Sequence, residues 1–149
     1  MDFGIENVNK LTGMTADKQI SQIKASVGRG RYRVIAEVKL IGNDIVLLIW
    51  GGTKPHIGSI SVSIPRPSLK DPQNISATSS VFNFISHKDE SVARIFSEKI
   101  AAAFNRNTVA TAGIHVDKAS ETDLEKILRN AEDLCSVLIN RLERLYEKA

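Results

Sequence analysis

Apolar residues recur at two periods along this chain, and the change between them divides it into elements. From about Gln19 the period is two, and Ile20, Ile23 and Val27 suggest a first strand. Over 31–41, Tyr32, Val34, Ala36, Val38 and Leu40 fall on one face, with Arg33, Glu37 and Lys39 on the other. Gly42-Asn43-Asp44 has turn chemistry and predicts a hairpin. The next strand, 43–50, is apolar on both faces and therefore central. A strand over 57–64 alternates Ile60, Val62 and Ile64 with Ser59, Ser61 and Ser63. Pro65-Arg66-Pro67 reads as its stop, because proline cannot donate to a ladder, and 65–77 as the longest loop. A strand over 78–86 follows, rich in β-branched and aromatic residues.

The period then becomes 3.6. Val92, Ile95, Phe96, Ile100, Ala103 and Phe104 mark one face of a helix over 89–104, ended by Asn105 to Asn107. A strand over 108–116 precedes Ser120-Glu121-Thr122-Asp123, a capping box with Asp in place of Glu. The last helix, 121–146, carries an unbroken stripe from Leu124 through Ile127, Leu128, Leu134 and Leu138 to Leu145. The order β-β-β-β-β-α-β-α predicts an α+β fold, a largely antiparallel sheet with two helices packed on it. One domain is expected, with an arm over 1–18 and the folded unit over 19–149. The Ile35/Ile41 face and the long final stripe exceed what one small layer hides, which predicts a homodimer with a two-fold interface.

Composition narrows the class. At 149 residues, 42% apolar and 25% charged, the chain has the makeup of a soluble globular domain. Its single cysteine, Cys135, cannot form an internal disulfide and sits on the last stripe as a small buried hydrophobe. That usage fits a reducing compartment and predicts a cytoplasmic protein. The opening MDFGIENVNK lacks an apolar signal-peptide core, and the run 45–50 is too short to span a bilayer, so no membrane association is expected. Net charge is +3. Arg29, Arg31 and Arg33 would share one strand face by alternation, either solvated or in contact with phosphate. Few aromatics and no nucleic-acid-binding motif argue against a nucleic-acid partner.

Candidate chemistry gathers at predicted strand ends. His56, His87 and His115 are the three histidines, each beside a loop or turn. Three imidazoles are a familiar zinc set, but no two share a short ligand spacing. An anion site is a second reading. Ser86-His87-Lys88-Asp89 resembles a helix start, with Ser86 as cap and Asp89 three residues on. Gly51 and Gly52 allow close backbone approach, and Lys54, His56, Lys88 and Arg66 could neutralise a phosphate. In a third reading the same residues only shape turns and pair locally. There is no Gly-x-Ser-x-Gly elbow, no Gly-x-Gly-x-x-Gly and no Walker-type loop, and the lone Cys135 lies on a buried stripe, so nucleophilic catalysis finds little support.

GGTKPHIG (51–58), PRPSL (65–69), SHKDESVAR (86–94) and TAGIHVD (111–117) occur in order. Together they resemble the prenylated-flavin chaperone-like domain, the small D-subunit type named for bacterial gallate decarboxylase. That domain is grouped by fold with the proteasome assembly chaperone 4-like proteins. The resemblance covers Ile20 to Leu138. It implies a non-catalytic partner of a UbiD-type decarboxylase that helps it acquire or keep prenylated FMN, and a homodimer or paired assembly. The motif positions are Gly51, Gly52, Pro55, His56, Gly58, His87, Lys88, Asp89, Gly113 and His115. Contact with a flavin phosphate, whether of prenylated FMN or of FMN, follows from the anion-site argument. Two alternatives stand beside it: a proteasome-assembly-type interaction module without a small ligand, and a small metal-dependent enzyme using the three histidines.

Overall fold

The computed structural model describes residues 22–84 and 89–147. The expected arm over 1–18, Ile20, and the predicted site residues Ser86, His87 and Lys88 lie outside the described residues. The elements are β1 (Gln22–Val27), β2 (Val34–Ile41), β3 (Asp44–Gly52), β4 (Ser59–Pro67), β5 (Ile75–Asn83), α1 (Glu90–Phe104), β6 (Thr108–His115) and α2 (Glu121–Tyr146). The six strands form one sheet in the order β1-β2-β3-β6-β4-β5. Its pairings are antiparallel except for β3 with β6. The α+β class and the order of elements are those expected.

Both helices lie on one face. α1 covers β4, β5 and β6, while α2 packs on β1, β2 and α1. Alternate residues of β2 and β3, among them Val38 and Leu47, meet Phe96, Ile100, Leu134 and Leu138 in a core with no exposed surface. Each such large side chain stabilises the fold by about 1.5–3 kcal/mol. Cys135 is fully buried among them, and burial pushes its thiol up to about 12, so it is an inert packing group.

Three expectations are corrected. First, the strand expected from Arg31 begins at Val34, because Gly30–Tyr32 forms a 3-10 turn between Gly28 and β2. Arg29, Arg31 and Arg33 therefore do not share a strand face. Arg31 reaches Asp123 at 3.1 Å, and Arg33 reaches Ser26 Oγ at 3.0 Å. Second, Pro65 and Pro67 do not stop β4, which pairs with β5 through Pro67. The Ser68 N–H donates to Asn74 O at 2.8 Å, so even-numbered residues of β4 point their N–H toward β5. β6 leaves the other edge free after Ser63, and the two prolines withdraw nothing from the ladder there. Third, the loop expected over 65–77 shrinks to 68–74, and β5 starts at Ile75. Asp71 closes that turn by accepting from the Gln73 and Asn74 N–H groups.

The alternation in β4 runs against the usual rule. Ser59, Ser61 and Ser63 are fully buried under α1, whereas Val62 is 42% and Ile64 60% exposed on the opposite face of the sheet. The buried hydroxyls are satisfied: Ser61 and Ser63 meet Ser97 Oγ at 2.7 and 2.8 Å, and Ser59 donates to Asn83. Ser97→Ala is expected to strip both β4 serines of that partner. A urea titration should show a loss of about 1–3 kcal/mol.

α2 starts where expected. Ser120 Oγ accepts from the Asp123 N–H, and Asp123 accepts from the Ser120 N–H, completing the capping box. The Ser120 backbone bond and the Tyr32 hydroxyl, 2.7 Å away, hold the Asp123 carboxyl down at about 2. A depressed carboxyl contributes stability that is fully present above its unfolded value, 3.8, and lost as pH falls through about 2. Asp123→Asn is therefore expected to flatten the acid limb of a stability-versus-pH curve in that window. Ser120→Ala should lower stability by about 1 kcal/mol at neutral pH.

Candidate functional site

The stretch Trp50 to Ser61 carries far more than a tight turn needs, and the sheet order explains why. β3 and β4 are not neighbours, because β6 lies between them. The connection over 53–58 must cross the C-terminal end of β6. The crossing is close: a side chain on Gly113 would collide with the His56 carbonyl. Gly52 has φ +77°, and a Cβ there would strike the His115 carbonyl. Both positions require glycine, one for space and the other for conformation as well. A Cβ on Gly51 would also meet the Arg33 carbonyl, and one on Gly58 the Asp89 carboxylate.

Polar contacts then tie the crossing down. The N–H groups of Thr53 and Lys54 donate to the His115 carbonyl at 2.6 and 3.3 Å. Lys54 Nζ sits 2.8 Å from Asp117, and His115 Nε2 lies 3.1 Å from the same oxygen. Lys54 first, then His115, hold the Asp117 carboxyl below the usual range. Pro55 is exposed at the apex of the loop. His56 turns inward, with Nδ1 3.1 Å from the Lys54 carbonyl and Nε2 3.2 Å from Asp89 Oδ2. Asp89 is only 8% exposed, and its other oxygen accepts the Ile114 N–H at 2.9 Å. The sequence pattern predicts Asp89 within the first turn of the helix. It instead immediately precedes α1, and its side chain makes no capping bond. Its carboxylate stitches α1 to β6 and to the crossing loop.

These contacts edge a cleft of about 370 Å³ between the start of α1, the end of β6 and the start of α2. Its polar lining is His56, Asp89, Ser91 and His115, and its apolar lining includes Val92, Leu124, Ile127 and Leu128. The rings of His56 and His115 stand 6.4 Å apart, edge to face. Of the predicted residues, His56, Asp89 and His115 thus meet around one cleft, with Gly52, Gly58 and Gly113 packed closely against them and Gly51 packed on Arg33 instead. Arg66 does not join them. It lies near the far end of β4, where its Nε donates to Thr78 Oγ1 at 2.6 Å. Lys54 is engaged with Asp117 rather than turned to the cleft lining. Among the described residues, no group of three or more His, Cys, Asp or Glu side chains is placed to hold a metal ion.

Sequence reasoning missed the apolar wall. Leu124 and Leu128 belong to the α2 stripe, yet they are 57% and 38% exposed, because they face the cleft while Ile127 between them is buried. The excess length of that stripe is the signal that could have found it.

Residues 28–143 match the family described as the prenylated flavin chaperone LpdD-like domain. The chain belongs to that family. The matched span of this LpdD-like domain contains the crossing loop, both cleft histidines and the cleft-lining part of α2. The chain is also 26% identical over 112 residues to Protein LpdD of Lactiplantibacillus plantarum, covering 75% of this chain and 79% of that protein. A chain from the crystal structure of a chaperone complex for yeast 20S proteasome assembly shares the fold. Its TM-score is 0.53 at 15% identity, over 82% of this chain and 96% of the other. The resemblance read from the four motifs therefore holds at the level of family and fold, and the family supports a chaperone role. Among the described residues, no helix is long and apolar enough to cross a membrane.

Proposed function

We propose that this LpdD-like chain is a non-catalytic cytoplasmic chaperone. It receives prenylated FMN in the cleft beside His56, Asp89 and His115 and serves a UbiD-type decarboxylase. The observation that carries the reading is the coincidence of the family match with the cleft: residues 28–143 include every residue that lines it. About 370 Å³ is within the range of small-molecule pockets, and a mixed apolar and polar lining suits a flavin. A reconstitution tests it. Cofactor-free decarboxylase is mixed with limiting prenylated FMN, with and without this chain. The expected result is a higher yield of active enzyme in its presence, reduced by His56→Ala. Equal yields with and without the chain would remove the chaperone-to-decarboxylase assignment.

A second reading has its own support. The exposed Val62, Ile64 and Phe82 lie on the sheet face opposite the helices, as a protein-interaction module without a small ligand would require. The two readings are compatible if that face joins two copies of the chain, leaving the cleft on the helix side free. A homodimer across the sheet face is therefore part of the proposal.

A further inference from the structure

We infer that the cleft recognises the prenyl-bearing ring system of the flavin rather than its phosphate. This rests on the proposed flavin reading and specifies which end of the ligand the protein holds. The first ground is the apolar wall. Leu124 and Leu128 stand four residues apart on α2, one helical turn, and flank the buried Ile127. Val92 from α1 and Val116 beyond β6 add further hydrocarbon to the cleft lining. Both leucines continue a stripe whose members from Ile127 to Leu142 include the buried Ile127, Ala131, Leu134, Cys135, Leu138 and Leu142, yet they retain much of their surface. A ligand that covered them would complete the stripe. A prenyl unit adds only hydrocarbon to the flavin, and a surface of this kind favours that addition.

The second ground is the charge at the polar end. Asp89 lines the cleft as a nearly buried carboxylate, fixed by the Ile114 N–H and by His56. A phosphate placed beside it would meet a like charge where solvent screens poorly. Of the candidate lysines and arginines among the described residues, Lys54 is held 2.8 Å from Asp117, and Arg66 is bonded to Thr78 in the β4–β5 hairpin. A flavin ring edge, by contrast, presents neutral N–H and C=O groups. Imidazole and carboxylate side chains pair with such groups without a charge conflict.

Binding of four ligands to the full chain separates the possibilities: riboflavin, FMN, prenylated riboflavin and prenylated FMN, each titrated by fluorescence. The expected result is that FMN and riboflavin bind within about threefold of each other. Each prenylated form should bind about a hundredfold tighter than its parent, the gain that burial of a few methylene-sized groups provides. Leu124→Ala with Leu128→Ala should erase most of that gain, lowering affinity for the prenylated forms far more than affinity for riboflavin. Both leucines are exposed, so the thermal midpoint should move little, and it serves as the folding control. A tenfold preference for FMN over riboflavin, with no gain from prenylation, would overturn this inference and leave the flavin reading standing. Failure of all four ligands to bind would overturn the flavin reading itself.

Discussion

Gly113→Ala is expected to destabilise the protein by about 3 kcal/mol or more, measured as a shift in the urea midpoint. The added methyl group would overlap the His56 carbonyl and crowd the Ile57 nitrogen, both backbone atoms that no rotamer change can clear. Gly113 also sits in β6 opposite Trp50 of β3, so the strand cannot slide away without breaking the register of its neighbours. Relief must come from lifting the crossing loop, which would withdraw His56 from Asp89 and open the polar end of the cleft. Ligand binding should therefore fall together with stability. Gly42→Ala is the control. Gly42 has φ +57° but nothing within 4 Å of its added carbon, so its cost is the left-handed strain alone, about 1–2 kcal/mol. Equal midpoints for the two variants would show that the close crossing is not a structural constraint.

Val62→Asp is expected to convert the proposed homodimer to monomer. Val62 lies between Val109 of β6 and Ser80 of β5, on the face the helices do not cover. It is 42% exposed in the single chain, so a carboxylate there leaves the fold largely intact. In a two-fold dimer every substitution enters the interface twice, and two carboxylates would lose water near its centre. Single central residues in such interfaces contribute about 2–4 kcal/mol, which corresponds to a roughly 30- to 700-fold weaker dimer. Sedimentation velocity on both proteins, with circular dichroism to confirm the fold, reads the outcome. A wild-type chain that stays monomeric at high micromolar concentration would end the dimer proposal and assign the face to another protein.

Features fixed by short-range chemistry can be read from the residues alone. Helix α2 runs over 121–146 as its stripe and capping box predict, because a 3.6-residue apolar period and a Ser–Asp box are satisfied within one helix. The buried Cys135 and the hairpin at Gly42 follow for the same reason. Long-range neighbours are a different matter. Nothing in the period of β3 or β4 announces that β6, which comes after both β5 and α1 in the chain, inserts between them. That insertion decides why the connection is long and glycine-rich, and it brings His56 to Asp89 and His115. The alternation of Ile60, Val62 and Ile64 with three serines is equally plain in the sequence, but its direction is not. A period of two states that the faces differ; only packing decides that α1 takes the serines, through Ser97, and leaves the aliphatic side chains outward. The prolines of β4 mislead for a related reason, since whether a missing N–H matters depends on which edge has a partner, and β6, which starts opposite Ser63, does not reach them.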